Sequence, residues 1–278
     1  MQQPQPTGNF PCPGVIAVID GQIYTIERSI GPNRFIRIVP GSSGSEQVYA
    51  THYANGWVIF DGGIHYIADN QLICFDLRSN IRNEISIPID TGYALRMISD
   101  EALMISTQDT RLAYMGDGHL ICYADKHEVM ARKTTIPIKE DYELTLDQTE
   151  YEDCFTLKTP LKKIELKEMR VIPRRIWLAG GMMFTLEDRG YDNISLWCYE
   201  LETSPIFVHR LQFLDVYDRV KIEQGQIFVI SGKQLKCHDL RFKLKYTLAF
   251  EKEVKDVFLH QDQIFVTFPN HVEIYKTA

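Results

Sequence analysis

One short pattern recurs along the chain and narrows what it can become more than any other feature. An apolar residue, any residue, a cysteine or its substitute, and an aromatic or apolar residue follow one another, often with an acid and a leucine behind. The pattern reads Leu72-Ile73-Cys74-Phe75-Asp76-Leu77, Leu120-Ile121-Cys122-Tyr123, Leu196-Trp197-Cys198-Tyr199-Glu200-Leu201 and Leu235-Lys236-Cys237-His238-Asp239-Leu240. Weaker copies stand at Ile36–Val39, Leu161–Leu166 and Val272–Tyr275. The third positions of the seven copies fall 35 to 48 residues apart, the span of one four-stranded propeller blade.

A second pattern precedes each copy. Ile23–Ile26, Ile64–Ile67, Leu112–Met115, Cys154–Leu157, Met183–Leu186, Ile227–Ile230 and Ile264–Thr267 form this series. Several of its members follow Asp20-Gly21, Asp61-Gly62-Gly63, Gly180-Gly181 or Gln224-Gly225. Such pairs suit tight hairpin turns, which require positive φ. Each repeat therefore reads as second and third strands of a blade. In Gly56–Asp90 the full unit is Trp57–Phe60, Ile64–Ile67, Leu72–Leu77 and Glu84–Ile89, from innermost to outermost.

The expected fold is all-β: a β-propeller of seven four-stranded blades over residues 14–278, as a single domain. Six blades with an irregular insert at 138–172 is the alternative. The last repeat has three recognisable strands, and a ring must cover its open edge. Residues 1–13 are thus a tail or a closing strand, with Gly8–Cys12 against the seventh blade. Pro11 and Pro13 weaken that strand, which leaves closure by packing alone as the other possibility.

Composition supports strands and bounds the partners. Aromatic residues make up 11% of the 278, and side chains of this kind pack well on a pleated surface. The net charge of −7 argues against nucleic acid, which is held chiefly by basic footprints. Apolar runs such as Val15–Ile19 are too short for membrane insertion, and the first residues lack the pattern of a secretory signal. Cys74, Cys122, Cys198 and Cys237 occupy one place in successive repeats, a blade apart, which suits buried thiols better than disulfides. A cytoplasmic location is the expectation.

The strand ends Cys74-Phe75-Asp76-Leu77-Arg78 and Cys237-His238-Asp239-Leu240-Arg241 resemble the third strand of WD40 repeats. The Gly-His pair and the Trp of the Trp-Asp pair are missing, so the WD40 hydrogen-bond tetrad is not implied. Gly63–Pro88 also resembles one repeat of kelch-like and F-box-associated propellers. The resemblance implies architecture at the level of the blade.

Irregular features receive plain readings. Seven acids lie within Glu140–Asp153, followed by Lys158, Lys162, Lys163, Lys167, Arg170, Arg174 and Arg175. Solvated strands whose opposite charges pair across the blade explain them, at little stabilisation per pair; a charged contact surface is the alternative. His65 and His238 stand where sister repeats carry Tyr or Phe, so they read as packing residues. No metal-ligand spacing, phosphate loop or nucleophile elbow occurs, and no cofactor or metal is expected.

Two functional classes follow. The first is an interaction scaffold or adaptor that presents one propeller face to a protein or peptide, as a monomer or as a subunit of a hetero-complex. Loops from second to third strands, and from fourth to the next first, share that face. They carry Arg28, Asn33, Tyr53, Tyr93, Arg96, Arg189, Tyr191, Tyr217 and Arg219. Tyr and Arg are enriched among interface hot spots. The second class is a propeller hydrolase or lyase, or a small-ligand or carbohydrate binder. Its channel candidates are few: Asp61, Glu223 and His260, at the ends of apolar innermost strands.

Overall fold

The structure, a computed structural model, describes residues 3–12, 14–27, 32–40, 44–52, 56–87, 94–106, 110–116, 120–124, 133–148, 153–190, 194–203, 208–212 and 218–277. Within them twenty-eight strands form seven four-stranded antiparallel sheets, the blades of a β-propeller. The chain divides into two compact units, residues 1–54, 179–181 and 211–278 in one, and 55–178 and 182–210 in the other.

The first unit holds three blades. The first is β2 (Val15–Ile19), β3 (Gln22–Glu27), β4 (Asn33–Ile38) and β5 (Ser45–Thr51). The sixth is β22 (Arg219–Glu223), β23 (Gln226–Ser231), β24 (Gln234–Asp239) and β25 (Leu244–Ala249). The seventh runs β26 (Asp256–His260), β27 (Gln263–Thr267), β28 (His271–Lys276), and takes β1 (Gln5–Pro11) as its outermost strand. Proline is tolerated at such an edge because its missing N–H faces outward or falls at a bulge, and the β1–β28 register shifts between Pro6 and Gly8. Thr7 Oγ1 donates to Ile274 O (3.1 Å), and Cys12 N donates to Asn270 O (3.0 Å).

Apart from the ends of two strands, the second unit holds the other four blades. They are β6 (Val58–Phe60) to β9 (Arg82–Ser86) through β7 (Gly63–Ala68) and β8 (Gln71–Asp76); then β10 (Ala94–Met97), β11 (Leu103–Ser106), β12 (Arg111–Tyr114) and β13 (Leu120–Ala124). The fourth comprises β14 (Lys133–Lys139), β15 (Tyr142–Gln148), β16 (Asp153–Lys158) and β17 (Lys163–Glu165). The fifth comprises β18 (Arg175–Ala179), β19 (Met182–Asp188), β20 (Ile194–Glu200) and β21 (Val208–Gln212).

Seven sheets overturn the six-blade alternative. Residues 138–172 are the end of β14 together with β15, β16 and β17, so the supposed insert is the body of the fourth blade. The repeat phase holds in five blades and slips by one strand in two. Leu112–Tyr114 and Leu120–Tyr123 belong to the third and fourth strands of their blade, and so do Cys154–Leu157 and Ile164 of the next. Sequence resemblance measures which faces are buried, and a half-buried third strand alternates just as a second strand does. Short first strands such as Ala94–Met97, half-exposed along their length, give too little pattern to fix the count.

Central strands are buried on both faces, which is why they read as apolar runs. β20 is buried from Ile194 to Tyr199, and Ile23, Ile64, Leu72, Phe184, Phe228 and Ile264 are fully enclosed. The first-to-second-strand turns Asp20-Gly21, Asp61-Gly62 and Gln224-Gly225 have positive φ at both residues, as type I′ hairpins require. Cys12, Cys74, Cys198 and Cys237 are buried free thiols, and Cys154 is a half-buried one. Burial pushes the Cys74 thiol up to about 11, so it is inert.

In the first unit, β22 and β26 are joined by side chains reaching main chain in a two-residue rhythm. Arg219 Nη1 donates to Lys255 O (2.5 Å), Lys221 Nζ donates to Val257 O (2.7 Å), and Leu259 N donates to Glu223 Oε2 (3.1 Å). Residues i, i+2 and i+4 of a strand share a face, so one face of β22 satisfies the backbone of the neighbouring first strand. Lys221 Nζ also lies 3.5 Å from the Phe258 ring centroid.

Candidate functional site

The two ends of each blade differ in what they display. At one end lie the turns from third to fourth strand, built on the acid of the repeat. Asp76 Oδ1 accepts from Arg78 N (2.6 Å) and Ser79 N (3.1 Å), and Asp239 Oδ1 accepts from Arg241 N and Lys243 N (both 2.9 Å). Asp side chains are suited to this because they bond backbone two or more residues on. The repeated Asp is therefore a turn-former, and it shapes the loop that follows. In the fourth blade Thr159 takes the role: its Oγ1 accepts from Leu161 N and Lys162 N, and its N–H donates to Lys162 O.

These turns carry an unexpected cargo. Among the described residues the large apolar side chains left exposed are Val39, Ile81, Leu161 and Leu244. Val39 lies between β4 and β5, Ile81 between β8 and β9, Leu161 between β16 and β17, and Leu244 opens β25. Val39, Ile81 and Leu161 occupy the third-to-fourth-strand connection of their own blades, and Leu244 is the first fourth-strand residue after it. Leu161, at 93% exposure, stands on the hydrogen-bonded Thr159 turn beside Lys162 and Lys163, which are also exposed. Sequence inspection missed this set because Val39, Ile81, Leu161 and Leu244 follow different residues and share no local motif.

The opposite end is where the sequence placed its contact residues. Arg28, Tyr53, Tyr93, Tyr191 and Tyr217 lie outside the described residues. Arg96, on β10, is exposed, with Nη2 3.8 Å from Met104 Sδ. Arg219 is exposed at the start of β22 and spends one donor on Lys255 O. Asn33 is buried at 3%, so its side chain contributes to the interior of the first blade.

Arg189 is half-buried just after β19, its guanidinium turned back onto the fifth blade. Strand alternation on β19 places Met183, Thr185 and Glu187 on one face, and on β20 it places Ser195, Trp197 and Tyr199 opposite them. Glu187 is fully buried, and its carboxylate accepts from Thr185 Oγ1 (3.0 Å), Tyr199 OH (3.2 Å), and Arg189 Nε and Nη2 (3.1 and 2.8 Å). Arg189 Nη2 also donates to Glu168 O (2.8 Å), and the guanidinium lies 4.3 Å from the Trp197 ring centroid. Burial raises the Glu187 carboxyl above its ordinary range, against Arg189, Thr185 and Tyr199, which favour the ion. Burial and the Glu187 charge together push the Tyr199 phenol up. The network is a buried ion pair with every strong partner satisfied, the condition under which such a pair is tolerated. An inward-facing Glu at the third step of Met183-x-Thr185-x-Glu187 was its sequence signal.

The remaining titratable features are also occupied with structure. His65 is buried, its ring 5.4 Å from Phe60 and 5.7 Å from Tyr114, and burial holds its imidazole down at about 4. His238 Nδ1 is 3.1 Å from Phe242 O. Both histidines pack as the sequence suggested. In the acidic stretch, Glu143 and Lys158 stand directly opposite on β15 and β16 and form an exposed ion pair at 3.2 Å, the cross-strand pairing expected. Glu223 bonds the Leu259 amide.

No family model matches the sequence, and no curated protein matches it significantly. The fold does match solved structures. Sqt1 from Saccharomyces cerevisiae superimposes with a TM-score of 0.52 at 9% identity, over 100% of both chains. BBS1N, solved in complex with ARL6DN, gives 0.50 at 9% identity, over 99% of this chain and 97% of that one. The extracellular domain of BT4673 from B. thetaiotaomicron gives 0.52 at 12% identity, over 98% of this chain and 40% of the other. At such identities the likeness shows the fold alone: this chain has the architecture of propeller-type proteins.

Proposed function

We propose that this chain is a protein-interaction scaffold whose contact surface is built on its strand-connecting turns. The observation that carries the reading is the exposure of Ile81 and Leu161 in the third-to-fourth-strand connections of two blades of the second unit; in the first unit Val39 stands in the same connection and Leu244 just after it. Exposed apolar residues scattered singly are ordinary, but a set confined to one structural position is not scattered. Such side chains bury area only when a partner covers them. Leu161 on its ordered turn is the best-presented anchor, because little conformational freedom is lost when it is covered. A propeller of the same fold, BBS1N, was solved with a protein bound, which supports a protein partner in general. Arg96 and Arg219 extend the proposed contacts to the other end of the blades. Buried free thiols support a reducing, cytoplasmic setting.

The test is a photo-crosslinking amino acid placed at Leu161 and at Ile81 in the chain expressed in its own cells. One protein adduct common to both positions, lost on Leu161→Asp with the melting temperature unchanged, is expected. An adduct insensitive to Leu161→Asp and Ile81→Asp but lost on Arg96→Ala and Arg219→Ala would move the contact to the opposite end. Absence of any adduct at both crosslinker positions would refute the scaffold reading.

A further inference from the structure

The seventh blade contains a feature that the scaffold reading does not use. On β28, alternation sends Val272 and Ile274 into the core and leaves His271, Glu273 and Tyr275 half-buried on the other face. That face, the β27–β28 turn and the segment after β25 line a half-open cavity of about 360 Å3. Three aromatic side chains wall it. Phe250 meets Phe268 edge-on (centroids 5.2 Å, 70°) and Tyr275 edge-on (6.0 Å, 77°), while the His271 ring stacks flat on Phe268 (4.5 Å, 8°). Rings that lock one another in this way make a rigid wall.

Within the wall sits a fixed carboxylate. Glu273 Oε2 accepts from Tyr275 OH (2.5 Å), and Oε1 is 3.2 Å from His271 Nε2, whose Nδ1 is 2.9 Å from Asn270 Oδ1. The Glu273 side chain is 26% exposed. Glu251 adds a second carboxylate to the lining and Lys252 an ammonium, both on exposed residues. An anion entering the cavity would meet Glu273 and Glu251. An uncharged apolar group would strip water from Glu273 and return nothing to it. A cation gains from both the ring quadrupoles and the carboxylate, and it gains more as water is excluded.

We propose that this cavity binds a single alkylammonium or guanidinium group, of the kind a basic peptide side chain carries. The site is independent of the apolar turns.

The probes are N-acetyl-lysine methylamide, its uncharged norleucine counterpart, and tetramethylammonium, titrated against the full chain with binding read by NMR shifts of the Tyr275 and Phe250 rings. Lysine amide is expected to bind saturably and at least about tenfold more tightly than the norleucine compound. Tetramethylammonium alone binding as well as the lysine amide assigns the site to small free amines; preference for the lysine amide assigns it to a peptide side chain, and both fit a cation site. Glu273→Gln is expected to weaken the lysine amide by about tenfold, and Phe250→Leu to weaken it while keeping the packing apolar. Equal binding of the charged and uncharged amides to the unmodified chain, or no saturation by either cation, overturns the proposal whatever the variants do.

Discussion

Replacing Arg189 by Leu removes the cation that, among the described residues, is bonded to the fully buried Glu187 carboxylate. Glu187 would keep the hydroxyls of Thr185 and Tyr199 and lose two charged hydrogen bonds. Breaking a buried pair from one side costs about 3–5 kcal/mol, and the stacking of Arg189 on Trp197 adds roughly 0.5–2 kcal/mol. At about 2–4 °C per kcal/mol the melting temperature should fall on the order of 10 °C. The loss has a pH signature. Burial already raises the Glu187 carboxyl in the folded chain, so the folded state holds the proton more tightly than the unfolded one. Stability contributed by this group is therefore lost as pH rises from its ordinary value of 4.5 through the folded value. Without Arg189 that window moves higher, and the variant should be closer to the parent at pH 5 than at pH 7. Differential scanning fluorimetry across this range measures both effects. The decisive control is Arg189→Leu combined with Glu187→Leu, which removes both charges and should recover all but about 1–2 kcal/mol. A double variant as unstable as the single one would refute the reasoning, because the loss would then come from packing.

Other expectations can be checked by the same melts. His65 stays neutral when folded, with its imidazole at about 4 against an ordinary 6.5, so the unfolded chain takes up a proton the folded one refuses. Stability should fall by up to about 3 kcal/mol as pH drops from 6.5 towards 4, and His65→Phe should flatten that slope; an unchanged slope would place its origin elsewhere. Gly63→Ala would put a Cβ 2.9 Å from the Phe75 carbonyl oxygen across the hairpin, which should cost roughly 1–3 kcal/mol. A neutral outcome would mean the strand pair spreads at no cost. Lys221→Met leaves the buried Val257 carbonyl without its 2.7 Å donor, for a loss of about 1–3 kcal/mol. Lys221→Arg should restore most of it, and failure to do so would assign the effect to the Phe258 contact.

What the sequence made legible was whatever repeats. Cys74-Phe75-Asp76-Leu77 and its copies announce a buried strand followed by an Asp-capped turn, and the turns at Asp20-Gly21, Asp61-Gly62 and Gln224-Gly225 mark hairpins. The third blade was mis-phased because β10 is half-exposed and short, so its neighbours took over its place in the count. The candidate site was less legible. Arg189 looked like a free surface arginine because its carboxylate partner, two residues away, becomes a buried neighbour only when β19 alternates inward. Phe250, Phe268 and Tyr275 are separated by a strand or a turn, and nothing in their spacing shows that their rings meet.

The pairing of β1 with β28 joins residues 267 apart in sequence, Thr7 and Ile274. During synthesis at about 5–20 residues per second, the segment Gln5–Pro11 emerges roughly 13–53 s before its docking site is complete. Throughout that interval it is a strand with nowhere to go. Its Pro6 and Pro11 interrupt the donor row that an improper partner would need, so prolines that thin the ladder of the seventh blade also keep its last strand unclaimed until the chain can use it.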